Sequence, residues 1–213
     1  MTDLPASGLP RSGQALPHWD PLVRLAHWGI AVVVLANYAF TKEGGSVHVV
    51  LGWAGLALLV LRLVWGLVGP AEARFSSFPP NPVAGLRHLG GLLRGKAPQY
   101  PSHNPAGALM AYALWASLAV VMATGLGMSG LGPLKQAELE AAVAAGDWSV
   151  LVDEDEDAGE SPYGEALEEM HDVAANLILI LALLHVAGVA VESRVMRRNL
   201  VAPMLISRRR RKG

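Results

Sequence analysis

The chain has 213 residues, 52% of them hydrophobic and 16% charged, with a positive mean hydropathy of +0.35. Water-soluble domains carry about 25% charged residues, so the composition points to a membrane protein. No cysteine is present, which excludes disulfides, iron–sulfur clusters, thiol catalysis and covalently attached c-type haem.

Residues 1–20 form a polar N-terminal tail with three prolines. The tail lacks the basic start, short apolar core and small-residue cleavage site of a secretory signal. Four apolar blocks follow, at about 21–40, 47–69, 108–129 and 170–191, each near the ~20 residues a helix needs to cross the hydrocarbon layer. The fold class is therefore all-α, an integral membrane four-helix bundle over residues 21–192.

The connections differ in character. TKEGGS (41–46) is a tight turn. Residues 70–107, with FPPNP (78–82) and PQYPSHNP (98–105), read as a proline-punctuated connector around a short helix near 83–94. Residues 130–168 form an acidic loop that includes DEDED (153–157), with AELEAAVAAG (137–146) as a short helix in it. Residues 193–213 are a basic tail ending in RRRRKG.

Charge sets the expected orientation. Twelve acids and only Lys135 as a base fall between 129 and 170, whereas after Glu192 there are eight Lys or Arg and no acid. Basic residues near helix ends mark the cytoplasmic side. The connector with Arg74, Arg87, Arg94 and Lys96 should lie there too, and with four spans both termini are cytoplasmic. GLGMSG (125–130) fits G-x-G-x-x-G, but it ends a membrane helix rather than joining a strand to a helix, so it predicts no nucleotide site. No nucleic-acid partner is expected.

Seven histidines separate by depth. His18, His88 and His103 fall in flanks or loops, where interfacial or solvent contact accounts for them. His27, His48, His171 and His185 lie within or at the edges of the apolar blocks, where an ionisable side chain is costly and marks a functional candidate. Fourteen residues separate His171 from His185, which is ~21 Å along a helix and nearly the same face. The two cannot share one metal ion.

His27 matches His185 in depth, and His48 matches His171. Two pairs result, one toward each face of the bilayer. Opposed imidazoles with no close third ligand suit the axial positions of a haem iron better than a zinc site, and hydrogen bonding between helices is the competing account. Arg24 and Arg62 could pair with the propionates of the inner haem, and positive-inside placement accounts for them as well. Gly52 and Gly188, one turn from His48 and His185, would let a flat macrocycle approach, although small residues also serve helix packing. Trp19 and Trp65 are expected in the interfacial aromatic belt, without chemistry.

WDPLVRLAHW (19–28), HVVLGWAGLALLVLRLVWGLVGP (48–70), ARFSSF (73–78), HNPAGALM (103–110) and MHDVAANLILILALLHVAGV (170–189) together resemble the prokaryotic cytochrome b561 family, which is related to the b-type subunits of nickel–iron hydrogenases. The resemblance implies two non-covalent b haems in a four-helix bundle of the bacterial inner (plasma) membrane. It implies axial ligands on the first, second and fourth helices, matching His27, His48, His171 and His185. It also implies electron exchange between the quinone pool and a redox partner.

The expected function is thus transmembrane electron transfer between quinone or quinol and a partner at the outer face, such as a periplasmic c-type cytochrome steered by the acidic loop. Two alternatives stay open. One is a superoxide (or other small reductant):quinone oxidoreductase acting at the outer haem. The other is a haem-free transporter of metal ions or protons through the same histidines.

Overall fold

The computed structural model describes residues 19–96, 98, 100, 103–129, 141–149 and 162–205. The N-terminal tail with His18, the acidic run 153–157 and the final basic cluster lie outside them. Every regular element among the described residues is helical, and four helices are long and apolar enough to cross a membrane.

An Asx–Pro pair starts three of the helices. Asp20 accepts the backbone N–H groups of Leu22 and Val23 at 2.9 and 3.2 Å, opening α1 (Pro21–Phe40). Asn81 accepts from Ala84 at 2.9 Å, opening α3 (Pro82–Leu93). Asn104 accepts from Gly107 at 2.7 Å, opening α4 (Pro105–Ser129). In each case the side-chain oxygen satisfies an orphan helix N–H, and the proline, which has none to lose, takes the first turn. The cap at Asn104 explains why α4 begins three residues before its apolar block.

Gly44, at φ +68°, turns the chain between α1 and α2 (Ser46–Val68). Gly69 and Pro70 then stop α2, because proline cannot continue a helix. Two short 3-10 turns, Ala71–Ala73 and Phe75–Ser77, fold back beneath α2. Phe75 seats its ring against Gly66, where a side chain would collide with it.

The last long helix, α5 (Pro162–Val195), has 34 residues, roughly 51 Å of length against ~30 Å of hydrocarbon. It extends well beyond its apolar block, so Glu165, Glu168 and Glu169 of the acidic segment stand on its first turns. Arg197, at φ 50°, ends it. The chain turns back through Asn199, which caps α6 (Ala202–Leu205), and the Met204 carbonyl accepts the Trp28 indole N–H at 3.2 Å. The first and last described segments therefore meet at one end of the bundle, called proximal below. The α1–α2 turn and the start of α5 lie at the distal end.

Packing is uneven around the bundle. α1 lies along α2, α5 lies along α4, and α3 covers the proximal part of α4, while neither α1 nor α2 packs comparably on α5. The two hairpins join through a central apolar layer of Leu59, Leu118 and Ile178, with Ile30, Val34, Trp115, Val121 and Met122 against it. Ile178 stands seven residues from both His171 and His185. Large apolar side chains such as Leu25, Val32, Leu67, Leu183 and Val186 are exposed along the outer helix faces, as expected of surfaces that meet lipid tails.

Candidate functional site

Where the hairpins stand apart, two cavities open, one on each side of the central layer. Each holds one of the histidine pairs matched by depth. His27 on α1 faces His185 on α5 with ring centroids 6.2 Å apart and planes inclined at 55°. His48 on α2 faces His171 on α5 at 6.1 Å and 56°.

That spacing has a chemical meaning. With a metal–nitrogen bond of ~2 Å and a ring nitrogen ~1.1 Å from the centre of its own ring, two imidazoles on opposite sides of one metal ion have centroids ~6 Å apart. Hydrogen-bonded imidazoles would sit closer than this. Among the described residues no group of three or more His, Cys, Asp or Glu side chains is placed to hold a metal ion. Each pair therefore suits two trans positions of an ion whose remaining ligands come from a planar group.

The walls have the shape such a group needs. A Cβ added at Gly52, one turn from His48, or at Gly188, one turn from His185, meets nothing within 4 Å, and both glycines face the cavities. Gly125 does a different job. A Cβ there would lie 3.2 Å from Cε1 of His171, so the bare backbone gives that ring its place. Gly125 opens GLGMSG, which is helical through Ser129. The glycine signal was visible in the sequence, but only the fold shows that an imidazole uses it.

The proximal cavity, about 400 Å³, is lined by Trp19, Arg62, His88, His103 and Glu192 in addition to its histidine pair. Arg62 is 4% exposed. Its Nη2 donates to the Ala73 carbonyl at 3.3 Å, its Nη1 is buried without a partner, and the guanidinium lies over the rings of Phe75 (5.2 Å) and Trp115 (4.8 Å). This is a cation with a donor to spare, suited to a carboxylate entering the cavity. Arg24 is half-buried with its Nε unpaired, and it is not among the residues lining the cavity.

Two histidines set aside on sequence grounds prove to be enclosed. His88 is 3% exposed on α3, with Nε2 3.7 Å from Oε1 of Glu192. Asn104, beyond capping α4, donates from Nδ2 to Oε2 of the same carboxylate at 2.6 Å. His103 stacks near Phe78 at 4.2 Å and meets Trp19 edge-on at 4.8 Å. Burial, followed by the charge of Arg62 and the imidazoles of His185 and His27, pushes it down to about 4, so it stays neutral at ordinary pH. These residues escaped sequence reasoning because α3 and the connector fold back over the bundle, which local pattern does not reveal.

Trp19 and Trp65, both near the proximal end, also make specific contacts. Trp19 lines the proximal cavity. Trp65 donates its indole N–H to Oδ1 of Asp20 at 2.9 Å, tying the end of α2 to the cap of α1.

The distal cavity is smaller, about 230 Å³, and its polar lining includes Asn37, Tyr38, Thr41, Glu43 and Asp172 with the histidine pair. Thr41 Oγ1 lies 3.2 Å from Nδ1 of His48, and Thr124 Oγ1 lies 3.0 Å from Nδ1 of His171.

Comparison with known proteins decides the family. The sequence model of prokaryotic cytochrome b561 matches residues 18–206, which takes in all four spans and both cavities. The chain belongs to the prokaryotic cytochrome b561 family. No curated protein and no solved structure matches it. Membership in the b561 family implies a membrane cytochrome that transfers electrons across the bilayer through haem b. The residues present fit that group: paired imidazoles at the right span, open glycine faces beside two of them, and a buried guanidinium with an unused donor.

Proposed function

We propose that the protein binds two b haems, one between His27 and His185 and one between His48 and His171, and relays electrons across the membrane. The proximal centre would exchange with quinone or quinol, and the distal centre with a redox protein at the outer face. The observation that carries the reading is the repeated ~6 Å imidazole spacing at two levels. Haem iron, when bound, supplies one-electron chemistry, and two histidines per iron leave no position open for oxygen.

The protein's own groups support the division of labour. Basic residues gather at the proximal end (Arg24, Arg74, Arg87, Arg94, Arg194, Arg197, Arg198), while Glu43, Glu165, Glu168, Glu169 and Asp172 mark the distal end. By the positive-inside rule the proximal end, with both termini, is cytoplasmic. Oxidation of quinol releases two protons with two electrons, and reduction of quinone takes them up. The Glu192 carboxylate, held by Asn104 and facing His88 in the proximal cavity, is a group placed to exchange one of them. Arg62 would bind a propionate of the proximal haem.

The distal acids favour a basic protein partner, because surfaces of opposite sign raise encounter rates. They oppose an anionic reductant such as superoxide, which weakens the oxidoreductase alternative. Transport of ions through the histidines is opposed by the apolar layer of Leu59, Leu118 and Ile178 between the two levels.

The test is a haem count by the pyridine complex, with reduced-minus-oxidised spectra, on the purified full-length protein. Two b haems per chain are expected, falling to one in His185→Ala and one in His171→Ala, with different residual spectra. No haem in protein made with ample haem supply would sink the proposal, and so would an unchanged count in either variant.

A further inference from the structure

Two threonines hold the distal histidines in a way that has no counterpart at the proximal pair among the described residues. Thr41 Oγ1 lies 2.6 Å from the Asn37 carbonyl, four residues back, and Thr124 Oγ1 lies 2.8 Å from the Val120 carbonyl, also four residues back. A hydroxyl has one proton, and at these distances each threonine gives it to its own helix. The oxygen facing the histidine therefore acts as acceptor, and the imidazole donates from Nδ1. Both distal rings are thereby fixed as the Nδ1–H tautomer, with the Nε2 lone pair left to ligate. Asn37 reinforces the arrangement, since its Nδ2 donates to the His48 carbonyl at 3.2 Å.

At the proximal pair, Nδ1 of His27 is buried without a partner, and no hydrogen bond reaches the His185 ring among the described residues. An imidazole that donates its second N–H is a more basic ligand and stabilises the oxidised, more positive iron. Fixed charge acts in the same direction. Glu43 and Asp172 line the distal cavity and favour the oxidised state, whereas Arg62 and Arg198 outnumber the single carboxylate of Glu192 in the proximal cavity and favour the reduced one.

From this asymmetry we infer that Thr41 and Thr124 are positioning residues that lock the distal ligands in one tautomer and hold the distal centre at a lower reduction potential than the proximal one. Each centre takes up one electron, and the Nδ1 proton stays on its ring throughout. An electron delivered at the distal face then moves downhill toward the proximal cavity. The inference rests on the two-haem reading above, which the haem count tests first and separately.

The experiment is a redox titration of the full-length holoprotein, followed at the haem bands, for wild type, Thr41→Val, Thr124→Val and the double variant. His185→Ala identifies the distal wave, because only that centre remains. In wild type the distal wave should be the lower of two one-electron waves. In the valine variants it should move upward, most in the double, with the proximal wave stationary and the haem content unchanged. A tenfold change in the oxidised-to-reduced ratio at fixed poise corresponds to ~59 mV for one electron.

Serine keeps the hydroxyl, so Thr124→Ser should restore the wild-type wave. Should Thr124→Val shed the distal haem, retention of haem at unchanged potential in Thr124→Ser supports the same role. Three results would overturn the inference: a distal wave above the proximal one in wild type, a distal wave unmoved in the fully loaded double variant, or loss of the distal haem from both the valine and serine variants.

Discussion

The proximal and distal cavities share one device, an imidazole from α5 facing another from the α1–α2 hairpin, and differ in almost everything around it. Connector, α3 and the returning C-terminal segment wall the proximal cavity, which is roomy and holds Arg62, His88 and Glu192. The distal cavity is walled mainly by the spanning helices, is smaller, and has its histidines tied to threonines. A four-helix frame can therefore repeat a ligand geometry while its connections set charge, volume and access separately at each end.

The widest break in that comparison comes from filling one cavity and leaving the other. A Cβ at Gly188 or Gly52 meets nothing within 4 Å, so Gly188→Leu and Gly52→Leu should leave the haem-free chain folded. Each should cost one haem per chain, proximal for Gly188→Leu and distal for Gly52→Leu. Spectra identify which centre is lost. Retention of both haems in either variant would mean that no cofactor lies against that glycine.

A smaller effect should follow from Arg62. A unit charge acting over ~10 Å at an effective dielectric of ~20 is worth ~1.7 kcal/mol, somewhat more than tenfold in a redox equilibrium. Arg62→Leu should lower the proximal potential by about that amount and leave the distal wave in place, while Arg62→Lys recovers part of the loss. Equal movement of both waves would point to a general disturbance of the bundle instead of a local charge.

How much of this was legible in the sequence can be judged from particular residues. The four spans and the four histidines within them follow from hydropathy and from the 14-residue spacing, because membrane helices have a fixed rise and leave few places for an ionisable group. The pairing of His27 with His185 and of His48 with His171 followed from depth alone. His88, Asn104 and Glu192 did not, since their meeting depends on how a proline-rich connector folds over the bundle. The threonines were equally silent. A threonine in an apolar helix looks the same whether its hydroxyl only bonds back to its own helix or also faces an imidazole.

The joint that enters the proximal site is tested through stability rather than potential. Asp20 caps α1 and also accepts the Trp65 indole, so one carboxylate fixes where α1 starts against the end of α2, two turns before His27. Asp20→Ala removes both interactions, at about 1 kcal/mol for the cap and about 1 kcal/mol for the additional hydrogen bond. Trp65→Phe removes only the second. Asp20→Asn keeps a capping oxygen that can serve both and should be nearly neutral. Thermal inactivation of the holoprotein should rank Asp20→Ala below Trp65→Phe and both below Asp20→Asn. Loss of haem on heating should begin at the proximal centre, because His27 rides on the loosened turn of α1 while His48 and His171 sit on α2 and α5. If Trp65→Phe matched Asp20→Ala, the cap would add nothing to the joint. Simultaneous loss of both haems would show that the two ends of the bundle unfold as one unit.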